Sequence, residues 1–343
     1  MLYSDYIAAR TIGTTFLLGL LLAGCAPFGD LTRTSNDAHE GPRASQCGAC
    51  HVEQYREWQG TAHAKAFTSK TFQEAAGNPQ EKDCLKCHSP LDIRAAQPES
   101  RTFHQQEGVT CISCHLSEGK MHGPHPSSAL FTPHPIREDR TFYSSPSLCA
   151  SCHAETHGQW QQWQQAAARP DTRTCQECHQ PVVHRRATQG TNFFSRILVS
   201  FEDELPTRSH EIALEKMTNF PGGVTITALA LKTGASAPAL EVTIHNNLPH
   251  DLPTGTYGEK EIQLVLAFEN ERGLKAGKKV MASNEQKPIS AGETKKIVIP
   301  LASTDVLSGT LRLNLERHSE SHAGRPPILL ASTTIDSLTE AFH

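Results

Sequence analysis

Ten cysteines fall in five pairs, Cys47/Cys50, Cys84/Cys87, Cys111/Cys114, Cys149/Cys152 and Cys175/Cys178, each with two residues between its members. A histidine follows every second cysteine: His51, His88, His115, His153 and His179. The segments read CGACH, CLKCH, CISCH, CASCH and CQECH. C-x-x-C-H is the attachment signature of a c-type haem. Its chemistry explains the spacing, because two thiols add across the two vinyl groups of one macrocycle and the adjacent imidazole reaches the iron from the proximal side. Five motifs therefore predict five covalent haem c groups, with ten thioether cysteines and five proximal histidines.

Other uses of paired cysteines fit less well. A zinc ribbon also pairs C-x-x-C segments, but a four-cysteine site has no need of a histidine after every pair. A thioredoxin-like centre carries one C-x-x-C on a βαβ unit, not five along a helix-poor stretch. A disulfide framework suits an exported chain, yet its cysteines are not confined to doublets.

Haem also accounts for a lean composition. Of 343 residues, 37% are hydrophobic and 6% aromatic, which is little apolar material for the two or three domains this length implies. Residues 45 to 215 carry all five motifs, and large apolar macrocycles take the place of a side-chain core there. A few short helices and long loops then suffice. Tyr55, Trp58 and Ala62 recur at helical spacing after His51, and a similar pattern follows His153. His51, Glu53, Trp58 and Gln59 correspond one for one with His153, Glu155, Trp160 and Gln161, a weak internal repeat. His63 in the first copy aligns with Gln165 in the second, and Gln is a poor haem ligand.

The segment CGACHVEQYREWQGTAHAKAF (47–67) resembles the start of the cytochrome c-554 family and related c-552-type multihaem cytochromes. EKDCLKCH (81–88), EGVTCISCH (107–115) and SLCASCH (147–153) follow in the family's order. CLKCHSP and TCQECHQP (174–181) also resemble larger multihaem cytochromes with an added C-terminal β domain. The resemblance covers about residues 45 to 155 and implies a compact haem stack that passes electrons. It implies that His63, in an Ala-His-Ala segment, binds the far side of another motif's iron. It implies the same of a histidine after the third motif, here His122, His125 or His134, and that the haem of His88 can lack a sixth ligand, a site left undecided between open and ligated, with ligation favoured.

Counting supplies the remaining sixth ligands. His63, His104, His122, His125, His134, His157, His184 and His210 are available in the haem region, whereas methionine is scarce. Bis-histidine ligation is the expected rule, which lowers the potential relative to Met/His cytochromes. The order of preference is His63 and His134, then His184 and His210, then His122.

From about residue 222 the pattern changes to period-two alternation without cysteine. Val224, Ile226, Ala228 and Ala230 alternate with polar or small neighbours, as do Leu240, Val242 and Ile244, then Ile262, Leu264, Leu266 and Phe268. Further stretches run over 297–301, 311–315 and 328–335, separated by turn signals such as Pro221-Gly222-Gly223 and Ala291-Gly292. Short alternating strands over some 120 residues predict an antiparallel, immunoglobulin-like β-sandwich. The segment 246–255 resembles a loop of such haem-associated β domains, which leaves two readings of His250, one facing a haem and one structural, and the structural loop residue is preferred. The fold class is thus α+β and multidomain: a loop-rich, mainly helical pentahaem domain over 45–218 and an all-β domain over 219–343.

Upstream, Phe16 to Leu22 form a short apolar run after Arg10, read as a signal h-region too short to span a bilayer. Leu22-Ala23-Gly24-Cys25 resembles the bacterial lipoprotein signal. That implies a signal peptide over 1–24, acylation of Cys25 and a flexible linker over 25–44. Ala26 after the cysteine resembles the outer-membrane sorting choice, on the periplasmic or the surface face. A net charge of −4 argues against nucleic-acid binding. The expected function is a lipid-anchored electron carrier of an extracytoplasmic respiratory chain, exchanging electrons with other redox proteins. The alternative is a multihaem reductase of a small nitrogen or sulfur compound, which needs one iron open to substrate.

Overall fold

The computed structural model describes residues 41–335, except 79, 96, 128–133, 135, 167–172, 191–195, 198, 213–221, 232–238, 256–257, 271–274, 302–308 and 320–325. The expected signal peptide, Cys25 and most of the linker lie outside the described residues. Among the described residues, no helix is long and apolar enough to cross a membrane.

The architecture is α+β. Short helices come first: α1 (Ala44–Gly48), α2 (Val52–Gln59), α3 (Lys70–Ala75), α4 (Lys82–His88) and α5 (Cys111–His115). Three small strands follow, β1 (Leu116–Ser117), β2 (Lys120–Gly123) and β3 (Ile136–Glu138), then α6 (Arg140–Ser144), α7 (Ser147–Ala150), α8 (Ala154–Gln165) and α9 (Cys175–His179). β4 (Val182–Arg185) pairs antiparallel with β5 (Leu205–Arg208). The C-terminal strands are β6 (Val224–Leu231), β7 (Ala239–Asn246), β8 (Lys260–Asn270), β9 (Lys275–Asn284), β10 (Thr294–Pro300), β11 (Gly309–Ser319) and β12 (Ile328–Ile335).

These strands form two antiparallel sheets, ordered β10-β7-β6 and β12-β11-β8-β9. Alternation dictates which side chains go inward. Leu240, Val242 and Ile244 of β7 and Ile262, Leu264 and Leu266 of β8 are each 0% exposed, and residues of both sheets join one buried cluster. A shared core between two sheets makes this a two-layer β domain. β9 was not anticipated from sequence: Lys275, Lys278 and Lys279 mask its pattern, as suits an edge strand.

The chain divides into two compact units, and neither is one continuous stretch. One comprises residues up to Leu148 plus Gln180–Ile212; the other comprises Cys149–His179 plus Ala213 onward. The division therefore differs from the expected split at 218/219, because the fourth and fifth motifs group with the β strands.

Candidate haem-binding centres

A helix sets residues three and four apart on one face, which is the spacing of Cys, Cys and His in each motif. The second, third and fifth motifs lie on α4, α5 and α9. In the first and fourth, the His51 amide donates to the Cys47 carbonyl (2.9 Å) and the His153 amide to the Cys149 carbonyl (3.0 Å). Each thus closes a helical turn before its histidine opens α2 or α8. No disulfide joins any of the ten cysteines. Among the described residues, no group of three or more His, Cys, Asp or Glu gathers as a zinc ribbon would require.

The sequence repeat has a structural counterpart. Trp58 on α2 donates its indole N–H to the Val109 carbonyl at 2.8 Å, and Trp160 on α8 donates to the Arg173 carbonyl at 2.9 Å. Val109 lies two residues before Cys111, and Arg173 two before Cys175. Each tryptophan thus fixes the approach to a later motif. In the first unit the Cys47 thiol hydrogen-bonds Cys111, which pushes Cys47 up and Cys111 down in pKa. In the second, a hydrogen bond from Cys149 brings Cys175 down to about 7. Each unit therefore sets two motifs side by side through one cysteine of each.

Three proximal rings are oriented through backbone carbonyls. Nδ1 of His51 donates to Ala187 (2.7 Å), that of His88 to Ala66 (2.6 Å) and that of His115 to His122 (2.8 Å). A carbonyl only accepts, so each Nδ1 holds the proton and each Nε2 keeps its lone pair for a metal. Burial pushes all three imidazoles below their ordinary pKa, which favours the neutral ligand form.

Three motif histidines face a second imidazole at nearly constant separation. Ring centroids are 6.3 Å apart for His51 and His134, 6.2 Å for His115 and His210, and 6.4 Å for His179 and His250. A metal–imidazole bond of about 2 Å on each side, plus roughly 1 Å from each nitrogen to its ring centre, spans about 6 Å. Each ring pair thus stands at the separation two imidazoles would have if both held one haem iron. His210 is pushed down to about 4 by burial and by the neighbouring His115, and among the described residues its Nδ1 has no hydrogen-bond partner.

The other candidates are placed differently. His63 lies in the turn after α2, where its carbonyl accepts the Val109 amide at 2.9 Å. Gly108, at φ 60°, lets the segment before the third motif pass close to the same carbonyl, where a Cβ would collide. His122 is buried on β2 and serves His115 through its backbone carbonyl, which also accepts from Tyr143 at 3.0 Å. His184 is exposed. Strand alternation turns Arg185 inward to Glu57 and His184 to the opposite face of the strand. The ring stacked on His88 is that of Phe72, at 3.9 Å, rather than that of a histidine. His250, read from sequence as a structural loop residue, stands opposite His179 instead. Its sequence signal was an imidazole in a Pro-flanked loop that resembles one of haem-associated β domains.

Comparisons with known proteins agree with this chemistry. The cytochrome c554 and c-prime family profile matches residues 46–116. Cytochrome c-554 of Nitrosomonas europaea is 31% identical over 133 residues, covering 33% of this chain and 48% of that protein. The chain thus spans about half the length of this curated relative. A crystal structure of a penta-heme cytochrome c552 from Thermochromatium tepidum aligns with a TM-score of 0.54 at 17% identity, over 89% of this chain and 99% of that one. That likeness is one of fold. The chain therefore carries five c-type haem attachment motifs, is similar over residues 46–116 to the cytochrome c554 and c-prime family, and shares its fold with a penta-heme cytochrome c552.

Proposed function

We propose that the chain is a pentahaem electron carrier, lipid-anchored through Cys25 in the outer membrane and serving an extracytoplasmic respiratory chain. Its partners on this reading are other redox proteins that donate and accept electrons. The haems supply the redox chemistry, and the protein fixes their attachment, ligation and spacing. Cys47, Cys50, Cys84, Cys87, Cys111, Cys114, Cys149, Cys152, Cys175 and Cys178 hold the five groups, and His51, His88, His115, His153 and His179 bind from the proximal side. His134 and His210 close the sixth positions opposite His51 and His115, and His63 remains a candidate for another iron.

The observation that carries this reading is the recurrent imidazole pair at 6.2 to 6.4 Å. An iron with two imidazole ligands has no position left for substrate, so it exchanges electrons only. The strand orders of the two sheets support an immunoglobulin-like arrangement for the β domain.

A second reading, reduction of a small nitrogen or sulfur compound, is favoured by one observation. Among the described residues the ring contact of His88 is with Phe72, and no imidazole is paired with it at the separation of the three other pairs. Electron paramagnetic resonance of the oxidised protein, with carbon monoxide titration of the reduced form, separates the two readings. The carrier gives low-spin iron that ignores carbon monoxide at the paired sites. A high-spin signal that disappears in His88→Ala, together with nitrite or hydroxylamine turnover, selects the reductase.

A further inference from the structure

We propose that His250, from a loop of the β domain, is the sixth ligand of the haem attached at Cys175 and Cys178, so that the β domain is part of a redox centre. This rests on the covalent-haem reading above. The first argument is distance: the His179–His250 ring separation of 6.4 Å matches the two other pairs, and the planes are only 20° apart.

The second argument is the tautomer. His250 Nδ1 donates to the Asp251 carbonyl at 2.9 Å. That fixes the proton on Nδ1 and leaves the Nε2 lone pair as the metal-binding atom, the arrangement typical of a ligating histidine.

The third argument is preorganisation, because a ligand on a loop needs a rigid support. Asn246, 0% exposed, donates its amide to the carbonyls of His250 (3.0 Å), Ile289 (2.9 Å) and Ser290 (3.1 Å). On the other side the loop is tied to α8, which begins right after the fourth motif. Gln159 Nε2 donates to Asp251 at 3.1 Å, while Gln159 Oε1 accepts from the Asp251 amide (3.1 Å) and the Thr254 hydroxyl (2.8 Å). The loop is therefore held both by its own sheet and by the helix that follows the fourth motif in the same unit.

The experiment uses full-length holoprotein carrying His250→Ala, with intact mass as the control for haem attachment. In protein with every haem attached, the variant is expected to convert one low-spin iron to high spin and to bind one more carbon monoxide per chain than wild type. Added free imidazole should restore the low-spin signal, which a merely structural role for His250 would not produce. An unchanged low-spin spectrum in fully loaded His250→Ala protein overturns the proposal. If that variant does not accumulate, His250→Met is read instead. Retained low-spin iron with one haem shifted to higher potential supports ligation, as Met/His ligation raises potential, and unchanged potentials overturn it. A wild-type mass lacking haem at Cys175 and Cys178 overturns the cofactor reading itself, a result distinct from loss of the ligand alone.

Discussion

Arg185 grips Glu57 at two points, Nη1 to Oε1 at 2.7 Å and Nη2 to Oε2 at 3.0 Å, with the two side chains 8% and 13% exposed. The same Glu57 Oε2 accepts the backbone N–H of His210 at 2.8 Å. One nearly dry ion pair therefore holds in place the histidine that faces His115. Glu57→Gln leaves Arg185 with the longer ion pair to Glu53 at 3.6 Å and a weak bond to the Arg208 carbonyl at 3.4 Å. Breaking one partner of such a pair costs roughly 3–5 kcal/mol. Denaturant unfolding of the holoprotein should show a loss of that order, and the low-spin signal of the His115 iron should broaden or disappear. An unchanged midpoint and spectrum would contradict this role.

Arg101 is 1% exposed and places all of its donors on uncharged acceptors. Nε donates to Phe103 O, Nη1 to Pro90 O and Ser113 Oγ, and Nη2 to His104 O and Gly108 O, at 2.8 to 3.2 Å. Burial pushes its pKa down to about 10, still cationic at neutral pH. The guanidinium fork thus gathers the chain around the third motif, and lysine cannot reproduce the five-donor geometry. Arg101→Lys should destabilise by about 2–4 kcal/mol through the buried carbonyls left unpaired. It should also lower the yield of fully haem-loaded protein, as read by intact mass. A variant within error of wild type on both measures would refute the assignment.

Asp139 caps α6 by accepting the Phe142 amide at 3.0 Å and pairs with Arg94. The Arg94 hydrogen bond, then the Phe142 N–H, holds this carboxyl below its ordinary range. A carboxylate depressed in the folded state contributes stability above its unfolded pKa of about 3.9, and that contribution is lost as pH falls through the folded value. Unfolding midpoints of wild type and Asp139→Asn should therefore differ at neutral pH and converge in strong acid. Curves that stay parallel down to the acid limit would exclude the pair as a source of pH dependence.

Motif chemistry was legible because covalent attachment demands local spacing: two thiols and an imidazole must share one helical turn. The β core was legible for a similar reason, since alternation over 240–244 and 262–268 is a local pattern. Long-range partnerships left no such trace. Glu57 and Arg185 are separated by 128 positions, and Arg101 reads as an ordinary surface arginine until the carbonyls of 90–108 converge on it. His184 was a candidate ligand by position after the fifth motif, and the structure shows it exposed on β4. His250 looked structural because only the folded loop brings it to His179. The Trp58/Trp160 repeat was visible in sequence, whereas the carbonyls that give it meaning were not.

Anchoring has its own test. If Leu22-Ala23-Gly24-Cys25 directs acylation, wild-type protein partitions into detergent and carries lipid at Cys25. Cys25→Ser should then release it to the aqueous phase or leave it unprocessed. Wild-type protein that is soluble and unlipidated would remove the membrane from the account.

The central claim is that five haems carry electrons through this chain. Coulometric redox titration of the intact holoprotein, followed in the visible bands, counts the electrons directly. The account predicts five one-electron equivalents per chain, one for each C-x-x-C-H motif, taken up and returned reversibly with no consumption of nitrite or hydroxylamine. Fewer than five equivalents in fully matured protein, or catalytic current on either compound, would contradict it.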